Sequence, residues 1–160
     1  MANEERFVSA ALKAWDAYIE RADGLFSSLT AEQLSKAVAP GKNRLIYLWG
    51  HLIAVHDGML PLLYFGPRLY PEYEAIFISS ADRSVPVLPS VEHLKQAWNK
   101  VNGKLSEGFA KLAVADWLQK HSAVSDEDFA KEPLRNRFAI LLSRTNHLSS
   151  HLGQAALAAK

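Results

Sequence analysis

Four stretches of this chain carry apolar residues at intervals of three and four, and none carries the strict alternation of a half-buried strand. An all-helical fold is therefore the reading. The first stretch runs from about Glu4 to Leu29, where Phe7, Ala11, Trp15, Tyr18, Ala22, Phe26 and Leu29 fall on one face. Thr30, with Gln33 three residues on, has the form of a capping box that starts a short turn, which Pro40-Gly41 ends. Asn43 is the candidate N-cap of a second helix reaching about Tyr64, weakened by Gly50 and Gly58 and kinked by Pro61 in its last turns. Ser90 caps a third helix, about Val91 to Leu112, with Leu94, Trp98, Val101, Leu105 and Phe109 at helical spacing. After an irregular stretch around Trp117, Ser125 caps a turn holding Asp126, Glu127 and Asp128. Pro133 then opens the fourth long helix, about Leu134 to Ala158.

Four long amphipathic segments predict a four-helix bundle formed by one domain over residues 1–160. The Phe65–Pro89 connection holds four prolines and no sustained period, and it is long enough to travel the ~30 Å of a helix. Helices two and three can then run parallel, whereas the short link between one and two favours antiparallel neighbours. An up-down-down-up order with a long loop between helices two and three follows. Such a loop suits either a lid or a dimer surface.

Composition removes several function classes. The 18 basic and 17 acidic residues are interspersed to a net charge of +1, which leaves no basic stripe for nucleic acid or anionic lipid. With no cysteine, thiol nucleophiles and cysteine-held zinc are excluded, and any metal must be held by N and O ligands. The N-terminus, Met1-Ala2-Asn3-Glu4-Glu5-Arg6, is acidic where a signal peptide is basic, and no apolar run approaches the ~18 residues of a membrane span. A cytoplasmic protein is expected.

Chemistry enters with Asn146-His147-Leu148-Ser149-Ser150-His151-Leu152-Gly153-Gln154, whose two histidines, four apart, share one helix face and can grip one divalent ion. Among the other four histidines, a helical wheel at about 100° per residue puts His51 within ~40° of Val55 and Leu62, on the inward face of helix two. His56 points ~140° away and borders the outside, His93 sits in a polar first turn, and His121 lies in an irregular stretch. His51 is about eight residues inside the start of helix two, and His147 and His151 about seven to eleven from the end of helix four. The three imidazoles thus meet at one height, roughly 10–16 Å from the helix ends, if those helices run antiparallel. The blander alternatives are a hydrogen-bonded core histidine at 51 and a solvated pair on helix four. Arg144 and Gln154 fall near His147 on the wheel, either lining a wet pocket or reaching the surface, where Arg144 would form an ion pair. Gly153 permits close backbone approach or simply weakens the helix.

Trp49-Gly50-His51-Leu52 and His147-Leu148-Ser149-Ser150-His151-Leu152-Gly153-Gln154 resemble the DinB-like (YfiT-like) metalloenzyme family, whose pattern is a helix-two histidine and a HxxxHxGQ element in helix four. The resemblance covers nearly the whole chain. It implies an up-down-down-up bundle, usually a homodimer, with His51, His147 and His151 binding nickel, zinc or iron in an open pocket. It also implies a small-molecule substrate, some relatives being transferases or isomerases that use a low-molecular-weight thiol.

Three neutral imidazoles on one divalent transition metal leave a position for water or substrate, which is the arrangement of a catalytic site. The functional expectation is a metal-dependent enzyme, a thiol-dependent transferase or a hydrolase, with Arg144 orienting an anionic substrate and Gln154 supporting a ligand. No residue stands out as general base, and imidazole suits several metals alike. The alternative is a non-catalytic dimeric bundle, a binding or stress-response protein whose loop aromatics Tyr64, Phe65, Tyr70, Tyr73 and Phe77 serve a partner.

Overall fold

The structure is a computed structural model that describes residues 3–159; Met1, Ala2 and Lys160, the extremes of the expected domain and N-terminal stretch, lie outside the described residues. Eight helices and no strand occur among them, with two isolated antiparallel bridges, Ala37 to Arg44 and Lys120 to Asn136. Four helices are long: α1 (Asn3–Ser28), α3 (Leu45–Leu62), α5 (Val91–Phe109) and α8 (Arg137–Ala158). Four are short: α2 (Ala31–Ser35), α4 (Glu72–Phe77), α6 (Val114–Trp117) and α7 (Asp126–Lys131). No helix among the described residues is long and apolar enough to cross a membrane.

The expected start signals act as expected at three places. Thr30 and Gln33 close a capping box on α2, and the Ser90 and Ser125 hydroxyls accept from the amides of His93 and Asp128. Two starts shift. α3 begins after Arg44, not Asn43, because Val38 spends its amide on the Asn43 carbonyl and Arg44 takes the extended cap position with its amide on Asp82. α8 begins at Arg137, not at Pro133, because Asn136 folds its side chain back onto the Ala139 amide and leaves Leu134 outside the helix and 76% exposed.

Helix directions can be read from side-chain pairs. The Ser122 amide donates to Leu62 at the end of α3, and the Arg137 amide at the start of α8 donates to Gln119, so α8 starts where α3 stops. Along α1 and α5, Trp98 donates to Asp23 while Trp15 meets Phe109 edge to face, which makes those two helices antiparallel. His56 of α3 meets Asn102 of α5, and Phe65 just beyond α3 meets Phe109 at the end of α5, so those two run in the same sense.

α3 is the central element. It contacts α2, α4, α5 and α8, and thirteen of its eighteen residues are buried. Its more open side is the one holding His51, Val55, Pro61 and Leu62, read from the sequence as the inward face, and the opposite side is packed. That corrects the expectation for His56, which is fully buried between Trp15 and Trp98, ring centroids 4.8 and 5.2 Å away, with its Nδ1 2.8 Å from the side-chain oxygen Oδ1 of Asn102. The wheel angle was sound, but it pointed into α5 and α1 and not into water.

The connection from α3 to α5 is also less irregular than its prolines suggest, because it carries α4. Tyr73 and Phe77 are 1% and 0% exposed, so two of the five loop aromatics belong to the core, and of the five only Tyr64 stands out, at 53%. Asp57, buried in α3, accepts from the Leu69 and Tyr70 amides at 2.7 and 3.0 Å and ties down the first half of the connection. Asp82, clasped by the Arg44 guanidinium at 2.7 Å, ties down the second.

Candidate metal centre

His51 projects from the second turn of α3 and His147 and His151 from successive turns of α8, and their Nε2 atoms converge. The separations are 3.2 Å from His51 to His147 and 3.0 Å from His147 to His151. One nitrogen from each ring lies within 4.8 Å of the others, a cluster with the reach to hold a metal ion. His93 and His121 stay outside it, the former against Tyr70 and Tyr73, and the latter beyond the end of α3. His56 is buried elsewhere in the core.

Two of the three rings are oriented from behind. His51 Nδ1 is 2.9 Å from the Phe77 carbonyl oxygen and His151 Nδ1 is 3.2 Å from Gln154 Oε1; both acceptors require the proton on Nδ1 and leave Nε2 with its lone pair. His147 Nδ1 is buried with no hydrogen-bond partner. Lone pairs from His51 and His151 thus both face His147 Nε2, which has at most one proton to share between them. A cation at the convergence satisfies all three nitrogens at once, so the donor set fits a divalent metal of the imidazole-binding kind.

The electrostatics favour the ligating protonation state. Burial, reinforced by the neighbouring His151, His51 and Arg144, pushes His147 down to about 4, and burial likewise lowers His151, against the opposing hydrogen bond to Gln154. Neutral imidazole at neutral pH is the form that binds metal.

The Phe77 carbonyl reaches His51 because of Gly50. A Cβ at position 50 would stand 2.2 Å from a Phe77 ring carbon, so only glycine lets α4 lie against α3 at this level. Tyr47, buried one turn before His51, donates to the same carbonyl at 3.2 Å and to that of Ser80. Gly153 has open space where its Cβ would be, so its role is not close approach but ordinary weakening of an exposed turn.

His51 and His147 form one edge of a cavity of about 510 Å³, whose wall also includes Arg68, Arg144 and Ser122 and is otherwise apolar. Arg68 is committed: it pairs with Glu74 at 2.6 Å and donates to the Ala54 carbonyl. Arg144 is not. Its Nε is buried without a partner and it forms no ion pair among the described residues, while burial lowers its pKa from the usual arginine value. Of the two sequence alternatives for Arg144, the surface ion pair is absent and the pocket is present. Gln154 lies exposed on α8 with its amide at His151.

Sequence reasoning missed the Phe77 carbonyl, Asp57 and Arg68. A backbone acceptor leaves no trace in residue types. Asp57, by contrast, was visible as a carboxylate inside the apolar run Leu52–Leu60, where only a structural or chemical duty keeps it.

A family model described as the DinB superfamily matches residues 14–155, a span that contains all three histidines, Arg144 and Gln154. No curated protein matches the chain significantly.

Proposed function

This chain belongs to the DinB superfamily, and on that premise we propose that it is a metal-dependent enzyme acting on a small molecule, with His51, His147 and His151 as the ligands of one divalent transition metal, nickel, zinc or iron. The observation that carries the reading is the convergence of three Nε2 atoms, with two of the rings held from behind through Nδ1. A divalent ion held there would supply Lewis acidity, making a nucleophile of water or a thiol near neutral pH. The reaction class proposed is thiol-dependent transfer or hydrolysis. The Phe77 carbonyl and Gln154 hold two imidazoles in register and raise their basicity. Arg144, one turn from His147 on the same face of α8, orients an anionic group of the substrate in the adjoining cavity. Because His51 and His147 border that cavity, a reactant can approach the ligand set from one side.

The proposed frame is a four-helix bundle of α1, α3, α5 and α8 in up-down-down-up order. It is supported by the antiparallel α1 and α5, the parallel α3 and α5, and the start of α8 at the end of α3. A cytoplasmic homodimer is the setting proposed from the family resemblance; sedimentation of the purified chain at two concentrations tests its oligomeric part.

The test of function begins with metal. Reconstitution with nickel, zinc or iron followed by elemental analysis is expected to give about one equivalent, and His151→Ala to lose most of it. Retention below about 0.2 equivalents by the unaltered chain, with His151→Ala no different in stability, sinks the metal reading.

A further inference from the structure

Arg144 is a guanidinium without a counter-ion in the wall of a cavity, and the cavity's composition narrows what can answer it. Arginine stays charged at any working pH, and a half-buried charge is costly unless something pairs with it. No acidic side chain lines this cavity among the described residues, and the other arginine, Arg68, already has Glu74. Without a metal ion the site therefore carries one uncompensated positive charge of its own. The remaining wall is apolar apart from the imidazoles and Ser122: Val55, Pro61 and Leu62 of α3 and Ile78 after α4 face the space, and Ile78 is 43% exposed. One cation beside an apolar wall matches one anionic head on an apolar body. With no metal bound, a monoanionic head matches this single charge, whereas a dianionic phosphate brings a second charge for which the wall holds no other unpaired guanidinium.

We propose that this cavity takes a small amphipathic carboxylate, its head group on Arg144 and its apolar body against Val55, Leu62 and Ile78. The assignment deepens the enzyme reading and rests on it for the meaning of the pocket as a substrate site. The anion site itself depends only on Arg144 and the wall. Since Arg144 and His147 are three residues apart on one helix, a molecule held this way lies within about one helical turn, ~5 Å, of the imidazoles. Arg144 is then a specificity-determining residue that selects carboxylates over neutral analogues.

Calorimetric titration of the full chain, stripped of metal with a chelator so that no carboxylate can bind an ion, tests this with hexanoate, hexanamide and hexyl phosphate. Hexanoate is expected to bind about tenfold or more tighter than hexanamide, the worth of a charge-assisted hydrogen bond. Arg144→Gln is expected to erase that preference while leaving hexanamide affinity within about twofold, and Arg144→Lys to keep part of it. No detectable hexanoate binding, equal binding of acid and amide, a preference that survives Arg144→Gln, or tighter binding of hexyl phosphate each overturns the assignment. Metal stoichiometry measured on the same preparations separates the two readings. A chain that takes up no metal yet prefers hexanoate through Arg144 keeps the anion site and loses the metal centre; one that takes up metal without the preference does the reverse.

Discussion

Burial sets the protonation state of His147 and His56 and makes their titration predictable. In an unfolded chain these imidazoles titrate near 6.5; in the fold, burial holds His147 at about 4 and His56 at about 3. Between those limits the unfolded chain carries protons that the folded one refuses, so acid favours unfolding. Metal-free protein should have its full stability above pH 6.5 and lose it as the pH falls toward 4, by on the order of 1 kcal/mol per pH unit for each histidine. Urea midpoints collected in chelator across that interval check the slope. A midpoint that rises with acid would mean that these rings are exposed or paired with carboxylates, contrary to their surroundings. His56 extends the same logic away from the three-histidine cluster, since its Nδ1 donates to the Asn102 side-chain oxygen while its Nε2 is buried without a partner.

At the scale of elements, the site depends on α4 being pressed onto α3, and two residues of α3 make that possible. Gly50→Ala would drive a methyl group into the Phe77 ring, at an expected cost of about 1–3 kcal/mol. Because Phe77 also supplies the carbonyl that holds His51, a weakened metal affinity should accompany it, about tenfold or more in a chelator competition. Asp57→Ala removes the acceptor of the Leu69 and Tyr70 amides and is expected to cost about 1–3 kcal/mol in urea denaturation, with hydrogen exchange accelerated at those two amides. α8 offers the opposite case. Gly153 sits exposed in the helix interior with nothing near its missing Cβ, so Gly153→Ala should raise stability by about 0.5–1 kcal/mol and leave metal content unchanged. A loss of stability there would show that the turn needs glycine for a reason beyond its own packing.

For the whole molecule, the core does not draw on the three clustered histidines. Trp15, Phe26, Trp49, Phe77, Trp98 and Trp117 are all buried in one hydrophobic cluster, so removing any ion bound at the proposed site should leave the helices in place, unlike a small domain folded around zinc. Far-UV circular dichroism should be unchanged by chelation, while the melting temperature rises with added metal in proportion to the logarithm of its concentration over Kd. Collapse of the helical signal on chelation would instead make the ion structural. Much of this was legible in the chain itself. The three- and four-residue periods placed the four long helices, Ser90 marked the start of α5 and Thr30 and Ser125 the starts of the short α2 and α7, and the HxxxH spacing together with His51 picked out the three imidazoles that converge, because local periodicity and capping are properties of contiguous residues. What lay outside its reach was whatever depends on a neighbour from elsewhere in the chain. A wheel drawn for α3 alone could not tell that His56 faces α5 and not solvent, that α4 would bury Tyr73 and Phe77, that a backbone carbonyl would orient His51, or that Arg144 would face a cavity with no acid to answer it. Sequence by itself determined the helices and the three imidazoles. Only tertiary packing decided which faces count as inside, because burial and hydrogen-bond partners across long sequence separations are set by how elements stack and not by the order of residues within any one of them.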